Sequence, residues 1–189
     1  MGTLFVDKLD PQSGTSLEIG SSGDTITIPS GCTITNNGTQ TGFGGTMTPA
    51  FFAYDTSTQS VSDNTYTKAD LATEVVDTDS NFASNRFTPT TAGKYFIFGK
   101  TVAGASTYNK NRNSNIAIYK NGSQLTYTET FFTPYGNTTG GTTLAPFVSA
   151  IIDMNGSSDY VELYVAVNAL DSSAVSVEKT VFGGYRIIT

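Results

Sequence analysis

The sequence predicts an all-β protein, a sandwich or barrel preceded by a segment of very short strands. Three observations carry this. Plausible strands follow one another at short spacing, with turn residues between them. Charged residues make up only 14 % of the 189 positions, and Thr, Ser, Asn and Gly abound, a composition that favours sheets and turns over helices. Helix-like patterning is confined to one turn, residues 68–73.

Residues 1–47 and 48–189 read as two regions. In the first, Leu17 and Ile19 alternate with polar residues before the turn Gly20-Ser-Ser-Gly23. Ile26 and Ile28 alternate with Thr25 and Thr27 before Pro29-Ser-Gly31, and Cys32 and Ile34 with Thr33 and Thr35 before Asn36-Asn-Gly38. Period-two alternation between such punctuation means short strands. Each offers about two apolar side chains, and a piece of that size is marginal alone. Either three chains wind around one axis, with Leu17, Ile19, Ile26, Ile28, Cys32 and Ile34 as an apolar spine, or the segment is a tail. The marginality of the strands favours the three-chain stalk. The glycine-rich residues 39–46 read as a flexible joint.

In the second region strands are expected over residues 47–55, 72–77, 81–90, 94–102, 114–120, 124–132, 144–154, 159–168 and 180–189. Aromatic and β-branched residues recur through them: Phe51 and Phe52, Phe82 and Phe87, then Tyr95, Phe96, Ile97 and Phe98 in one run. The turns between them, at Gly93, Asn121-Gly122 and Asn155-Gly156, are rich in Asn and Gly.

Composition removes several function classes. There is no histidine, so neither Ser-His-Asp nor Cys-His catalysis is available, and the commonest metal ligand is missing. A single cysteine permits no intrachain disulfide and no thiolate cluster. The net charge of −6, with Lys and Arg scattered singly, disfavours nucleic acid and anionic membranes. The first residues carry charges and Pro11 where a leader would be apolar, and no run reaches membrane-spanning length. Neither membrane insertion nor a cofactor is expected.

Five stretches, in order, resemble the C1q/TNF-like domains. Pro49-Ala-Phe-Phe-Ala53 is similar to that family's opening. The run from Phe82 to Phe98, with Arg86-Phe-Thr-Pro89 and Ala92-Gly-Lys-Tyr-Phe-Ile-Phe98, resembles its aromatic core. Ile116-Ala-Ile-Tyr-Lys-Asn-Gly122, Asp159-Tyr-Val-Glu-Leu163 and Val181-Phe-Gly-Gly-Tyr-Arg-Ile-Ile188 resemble its hairpin and closing strands. Ser158 stands where the family has glycine, with Gly156 two residues earlier, which predicts a longer turn. The resemblance covers roughly residues 49–188 and implies a ten-stranded jelly roll that forms a homotrimer. It makes Phe51, Tyr95, Phe182 and Tyr185 candidates for an inter-subunit seam, against ordinary core placement, which is the better reading for Phe87 and Phe182. Residues 1–45, with Phe5-Val-Asp-Lys-Leu-Asp-Pro11 and Gly23-Asp-Thr-Ile-Thr-Ile-Pro29, resemble N-terminal segments of tailed-phage tail and fibre proteins.

Strand parity then sorts the connections. If the chain enters the head at its base, the turns at 91–93, 121–123 and 155–158 fall at the base. The longer connections at 56–65, 103–113, 133–142 and 169–173 fall at the tip. Long loops on a rigid scaffold are where binding tends to reside. Tyr108, Asn109, Lys110, Asn111, Arg112, Tyr135, Asn137 and Asp171 are therefore the candidate receptor contacts, their Tyr and Asn suited to sugar rings and hydroxyls.

No catalytic residues are assigned. Asp77 with Asp79, Asp153 with Asp159 and Glu74 with Asp77 are the nearest carboxylate pairs, and turn capping explains the first more simply than glycoside hydrolysis. Calcium suits clustered Asp and Asn, as in some relatives, but no acidic run has calcium-loop spacing, so no metal is assigned. The expectation is a non-enzymatic phage virion protein, made in the host cytoplasm. Residues 1–45 would dock on a tail or capsid protein, and the head would bind a host-surface glycan or protein. The alternatives are a capsid decoration or head fibre and, less so, a glycan depolymerase.

Overall fold

The structure, a computed structural model, describes residues 9–38, 47–105, 111–133, 143–171 and 174–187. The chain divides into two units, Met1–Thr41 and Gly42–Thr189, with the boundary inside the expected joint.

In the first unit the expected turns form. The Asp24 N–H donates to the Ser21 carbonyl at 3.0 Å, and the Asp24 carboxylate takes the Ser21 N–H at 2.7 Å. The Cys32 N–H donates to the Pro29 carbonyl at 3.1 Å, and the Gly38 N–H to the Asn36 side chain at 2.9 Å. Gly20, Gly23 and Gly31 hold the left-handed conformations these turns require. The segments between them make no ladder among the described residues. Leu17, Ile19, Ile26, Ile28, Cys32 and Ile34 all lie exposed.

The second unit is a two-sheet sandwich. Its strands are β1 (Ala50–Asp55), β2 (Gln59–Val61), β3 (Thr67–Lys68), β4 (Thr73–Asp77), β5 (Phe82–Ala83), β6 (Arg86–Phe87) and β7 (Gly93–Ala105). There follow β8 (Asn111–Lys120), β9 (Ser123–Gln124), β10 (Thr130–Phe132), β11 (Thr143–Leu144), β12 (Phe147–Met154), β13 (Val161–Ala169) and β14 (Val175–Arg186). Sheet A runs β11-β7-β14-β1-β4, with β12 also on β7 and β2 on β14. Sheet B runs β10-β8-β13-β6-β5, with β9 on β8 and β3 on β13.

Fourteen strands among the described residues replace the ten expected, for local reasons. The strand expected at 81–90 is a hairpin, bent where Ser84 and Asn85 take positive φ. That expected at 124–132 is broken by a 3₁₀ turn, Thr126–Thr128, where the buried Thr128 hydroxyl accepts from the Ile118 N–H and bonds the Leu125 carbonyl. The closing strand starts earlier than 180, at Val175, and bulges at Lys179, whose φ is 50°. The helix-like turn at 68–73 is not helical. Lys68 ends β3, and Ala69 and Leu71 plug into the core.

The core lies between the sheets. The Phe51 ring stacks on Phe82 and Phe87, with centroids 5.2 and 4.2 Å away, and meets Phe182 edge-on at 5.0 Å. Tyr95, Ile97, Ile116, Ile118, Leu163 and Val165 are fully buried around them. Phe51, Tyr95 and Phe182 are thus intrachain core and not seam residues. Gly99 lets the sheets approach, since a Cβ there would sit 2.5 Å from Leu163 of sheet B, whereas Gly184 makes room within sheet A for Ile97, its partner on β7, which would also lie 2.5 Å from a Cβ.

Candidate functional site

The two ends of the sandwich separate as parity predicts. At one end the three tight turns meet. The Asn121 side chain donates to Asp159 at 2.8 Å, Lys120 Nζ donates to the Asp153 carbonyl at 2.7 Å, and Gly156 packs on the backbone of Thr91 and Ala92. The start of β1 is at this same end, where the Arg186 N–H donates to the Pro49 carbonyl at 3.1 Å. At the opposite end the strand termini that bracket the tip connections lie together. Ala105 pairs with Val175, Asn111 with Ala169 and Thr143 with Gly104. Asp63 joins them by accepting the Ala169 N–H at 2.7 Å.

Of the candidate contacts, Tyr108, Asn109, Lys110, Tyr135 and Asn137 lie outside the described residues. Arg112 and Asp171 are exposed at this end. Asn111 is not a surface residue. It is fully buried, its amide donating to the Ala103 carbonyl at 3.1 Å and to the Ser114 hydroxyl at 3.0 Å. Strand β8 starts three residues before the expected 114, and its first residue turns inward to tie β8 to β7.

The sides of the sandwich carry more than the sequence suggested. On the outer face of sheet A, antiparallel register sets three rows. Tyr185, Phe96 and Ile151 form one. Phe52, Gly183, Phe98 and Ser149 form the next, and Tyr54, Val181, Lys100 and Phe147 the third. Ring centroids run in sequence, Phe52 to Phe98 at 6.3 Å, Phe98 to Phe96 at 6.0 Å and Phe96 to Tyr185 at 5.7 Å. Gly183 makes this possible, since a Cβ there would lie 2.7 Å from the Phe98 ring and 3.0 Å from Phe52. Phe147 and Ile151 are 51 and 59 % exposed, and Val75 and Val76 on the flanking β4 are also open. A contiguous aromatic and aliphatic face of this kind marks an interaction surface.

The outer face of sheet B is finished differently. Glu162, only 2 % exposed, is bracketed by Arg86 at 2.9 Å and Lys68 at 3.3 Å. The Arg86 guanidinium also lies over the Tyr160 ring, 3.7 Å from its centroid. Tyr119 and Tyr164 stack at 3.9 Å, with Tyr66 6.0 Å from Tyr119. The Tyr66 hydroxyl donates to Glu129 at 2.6 Å. Burial, reinforced by that carboxylate, pushes the Tyr66 phenol well above its ordinary range, and burial also raises Tyr119 and Tyr164. Tyr66, Tyr119 and Tyr164 stay neutral in ordinary conditions, serving as ring surface and hydroxyl.

Comparison with known proteins bears on the sandwich. It is similar to Eiger TNF from S. frugiperda at 10 % identity and a TM-score of 0.53, over 73 % of this chain and 91 % of that one. Murine APRIL (crystallised at pH 8.0) gives 10 % identity and a TM-score of 0.51, over 73 and 98 %. The globular domain of zebrafish complement 1qA is 13 % identical over 74 and 96 %, with a TM-score of 0.48. No family model and no curated protein sequence matches the chain. The fold is that of the TNF-type jelly rolls.

Within this jelly roll the carboxylate pairs have structural employment. Asp77 caps the turn after β4, its two oxygens accepting the Asn81 and Phe82 N–H groups at 2.8 Å each. Asp153 pairs with Lys94 at 2.8 Å. Asp159 pairs with Lys120 at 2.8 Å, and that hydrogen bond, with those from Asn121 and the Asn155 N–H, holds its carboxyl below the usual range. Among the described residues no group of three acidic or thiol side chains is placed to hold a metal. The triad of Glu162, Arg86 and Lys68 was invisible in the sequence, because its members lie 76 and 94 positions apart. The outward aromatic set carried a signal. Strand β7 reads Tyr-Phe-Ile-Phe with no polar alternation, and a strand apolar on both faces needs cover on both.

Proposed function

We propose that the chain is a structural protein of a phage virion: a homotrimeric fibre or appendage, docked through residues 1–45, whose jelly-roll head contacts the host surface without enzymatic chemistry. The observation that carries the reading is the outer face of sheet A. Phe52, Phe96, Phe98, Tyr185, Ile151 and Phe147 form an apolar surface that one copy leaves in water, and two further copies around a threefold axis cover it. The first unit adds to this. Its Leu and Ile side chains lie 43–60 % exposed in one chain, and winding three chains together buries them as a spine. The likeness of residues 1–45 to tailed-phage fibre segments supplies the virion setting, and the grouping of Arg112 and Asp171 at the end opposite the chain entry supports an outward-facing tip. Three weak tip sites acting together raise avidity without any one being tight.

Light scattering on the purified protein tests the assembly. Three chains per particle is the expected result, and a folded single-chain particle at working concentration overturns it. Competition of purified protein with phage adsorption separates a host-binding fibre from a capsid decoration. The fibre blocks adsorption and the decoration does not, and replacing Tyr108, Asn109 and Arg112 by Ala removes the block while leaving the trimer intact.

A further inference from the structure

A ring of three identical copies cannot be built from one patch meeting itself. Each junction joins two different patches, and every copy carries both. The outer face of sheet A is one of them. Among the described residues, the exposed rings that lie off that face collect at a single edge of the sandwich. Tyr127 is 70 % exposed, Phe131 67 % and Phe132 53 %. Strand β10 is the last of sheet B, and the 3₁₀ turn before it packs against β12, which borders sheet A. Phe131 is in register with Asn115 and Phe132 with the buried Ser114, so the two rings leave the strand on opposite sides and neither is covered. Phe147 and Ile151 on β12 carry the apolar surface from the face of sheet A round to this edge.

The face of sheet A has a place for such an edge. A hollow of about 150 Å³ opens on it, lined by Phe52, Tyr54 and Val181, with Lys100, Lys179 and Asp55 around them. An apolar space of that size takes one benzene-sized ring. The charges agree with this. Lys179 already pairs with Glu178 at 3.3 Å, and Asp55 accepts the Ser57 N–H at 2.6 Å, whereas Lys100 forms no ion pair among the described residues. Glu129, exposed just before β10, accepts from the Tyr66 hydroxyl and meets no cation among the described residues. An aromatic edge with an unmatched carboxylate thus complements an aromatic-lined hollow with an unmatched lysine.

We propose that the β10–β12 edge of one copy packs on the outer face of sheet A of the next, head to tail around the threefold axis. The inference rests on the trimer reading and names the second half of its junction. It is the edge of sheet B, and not its face, that takes part. Two measurements on the full-length protein test it. Phe131→Asp/Phe132→Asp changes exposed side chains only, so circular dichroism should be unchanged while the particle mass falls from three chains to one. If the unmodified protein has three chains and this variant has three as well, the edge assignment fails and the trimer stands. A single-chain unmodified protein removes both. The second measurement tells edge-on-face from face-on-face packing. In a Cys32→Ser background, which removes the one exposed thiol, Phe132→Cys and Tyr54→Cys are introduced singly or together. A short bismaleimide should join three chains in the double variant and leave either single variant unlinked on a denaturing gel. Linking in a single variant means that like patches meet, and that result, or the absence of a three-chain band from the double variant, overturns the proposal.

Discussion

The two sheets of the head share one core, yet their solvent faces are completed in different ways. Sheet B covers the centre of its own face, although Phe131 on its edge strand β10 stays 67 % exposed. Tyr66 reaches over to Glu129, Arg86 lies on Tyr160, and the carboxylate of Glu162 is enclosed by two cations from the same chain. Sheet A does not. Its outer rows end in Phe147, Ile151 and Tyr185, with 51, 59 and 38 % of their surface open, and the single charge among those rows is Lys100. A face that finishes its own hydrogen bonds and ion pairs is stable in one copy. A face that leaves aromatic rings in water draws its stability from association, at roughly 25 cal/mol for each Å² of apolar surface removed. The contrast predicts that substitutions on sheet A act on assembly, whereas those on sheet B act on the stability of each chain.

The largest effect is expected on sheet A. Phe98 is central to its rows, between Gly183 and Ser149. Phe98→Asp places a carboxylate where the proposed seam is dry, and burying an unpaired charge is far more unfavourable than losing a ring contact. Light scattering should then report single chains, with circular dichroism unchanged because the side chain points away from the core. A particle of three chains in this variant would show that the apolar face is not the seam.

How much of this contrast could be read in the sequence depends on strand parity. The strands and base turns were legible, since Asn-Gly and Gly-rich turns punctuate alternating runs. The facing was not. In β1 and β7 both parities are aromatic, Phe51 beside Phe52 and Tyr95 beside Phe96, so alternation names two sets without saying which is inward. The structure settles the facing through the stacking of Phe51 on Phe87: Phe51 and Tyr95 lie in the core, and their neighbours Phe52 and Phe96 face outward. Asn111 misled for the opposite reason. Its type suggests a loop, but a buried amide with two partners is as stable in a strand end as in solvent.

A smaller effect is expected on sheet B. Glu162→Gln removes the charge that Arg86 and Lys68 enclose. Breaking a fully buried pair is unfavourable by about 3–5 kcal/mol. Here the cationic side chains are 40 and 35 % exposed and can return to water, so about 2 kcal/mol is expected. Denaturant unfolding at fixed chain concentration measures it, because association otherwise contributes to apparent stability. The particle mass should stay at three chains. A change of mass without loss of stability would reverse the assignment of the two faces.

The smallest effect lies where the two sheets join. Lys120, at the end of β8, donates to the Asp153 carbonyl of β12 and pairs with Asp159, so one cation links sheet B to sheet A at the base. Asp159 sits below its ordinary 3.8 chiefly because of the Lys120 hydrogen bond. A group whose folded value is depressed contributes stability that is complete above the unfolded value and disappears as pH falls through the folded one. Asp159→Asn should therefore lower stability by about 1 kcal/mol near neutral pH, and the gap to the unmodified protein should close as pH drops below 3.8. Asp153→Asn is the control. Its pair with Lys94 is 76 and 53 % exposed on the two sides, and such pairs contribute about 0–1 kcal/mol. If the Asp159→Asn gap persisted unchanged at pH 3, the turn's hydrogen bonds rather than the ion pair would be what joins the two sheets there.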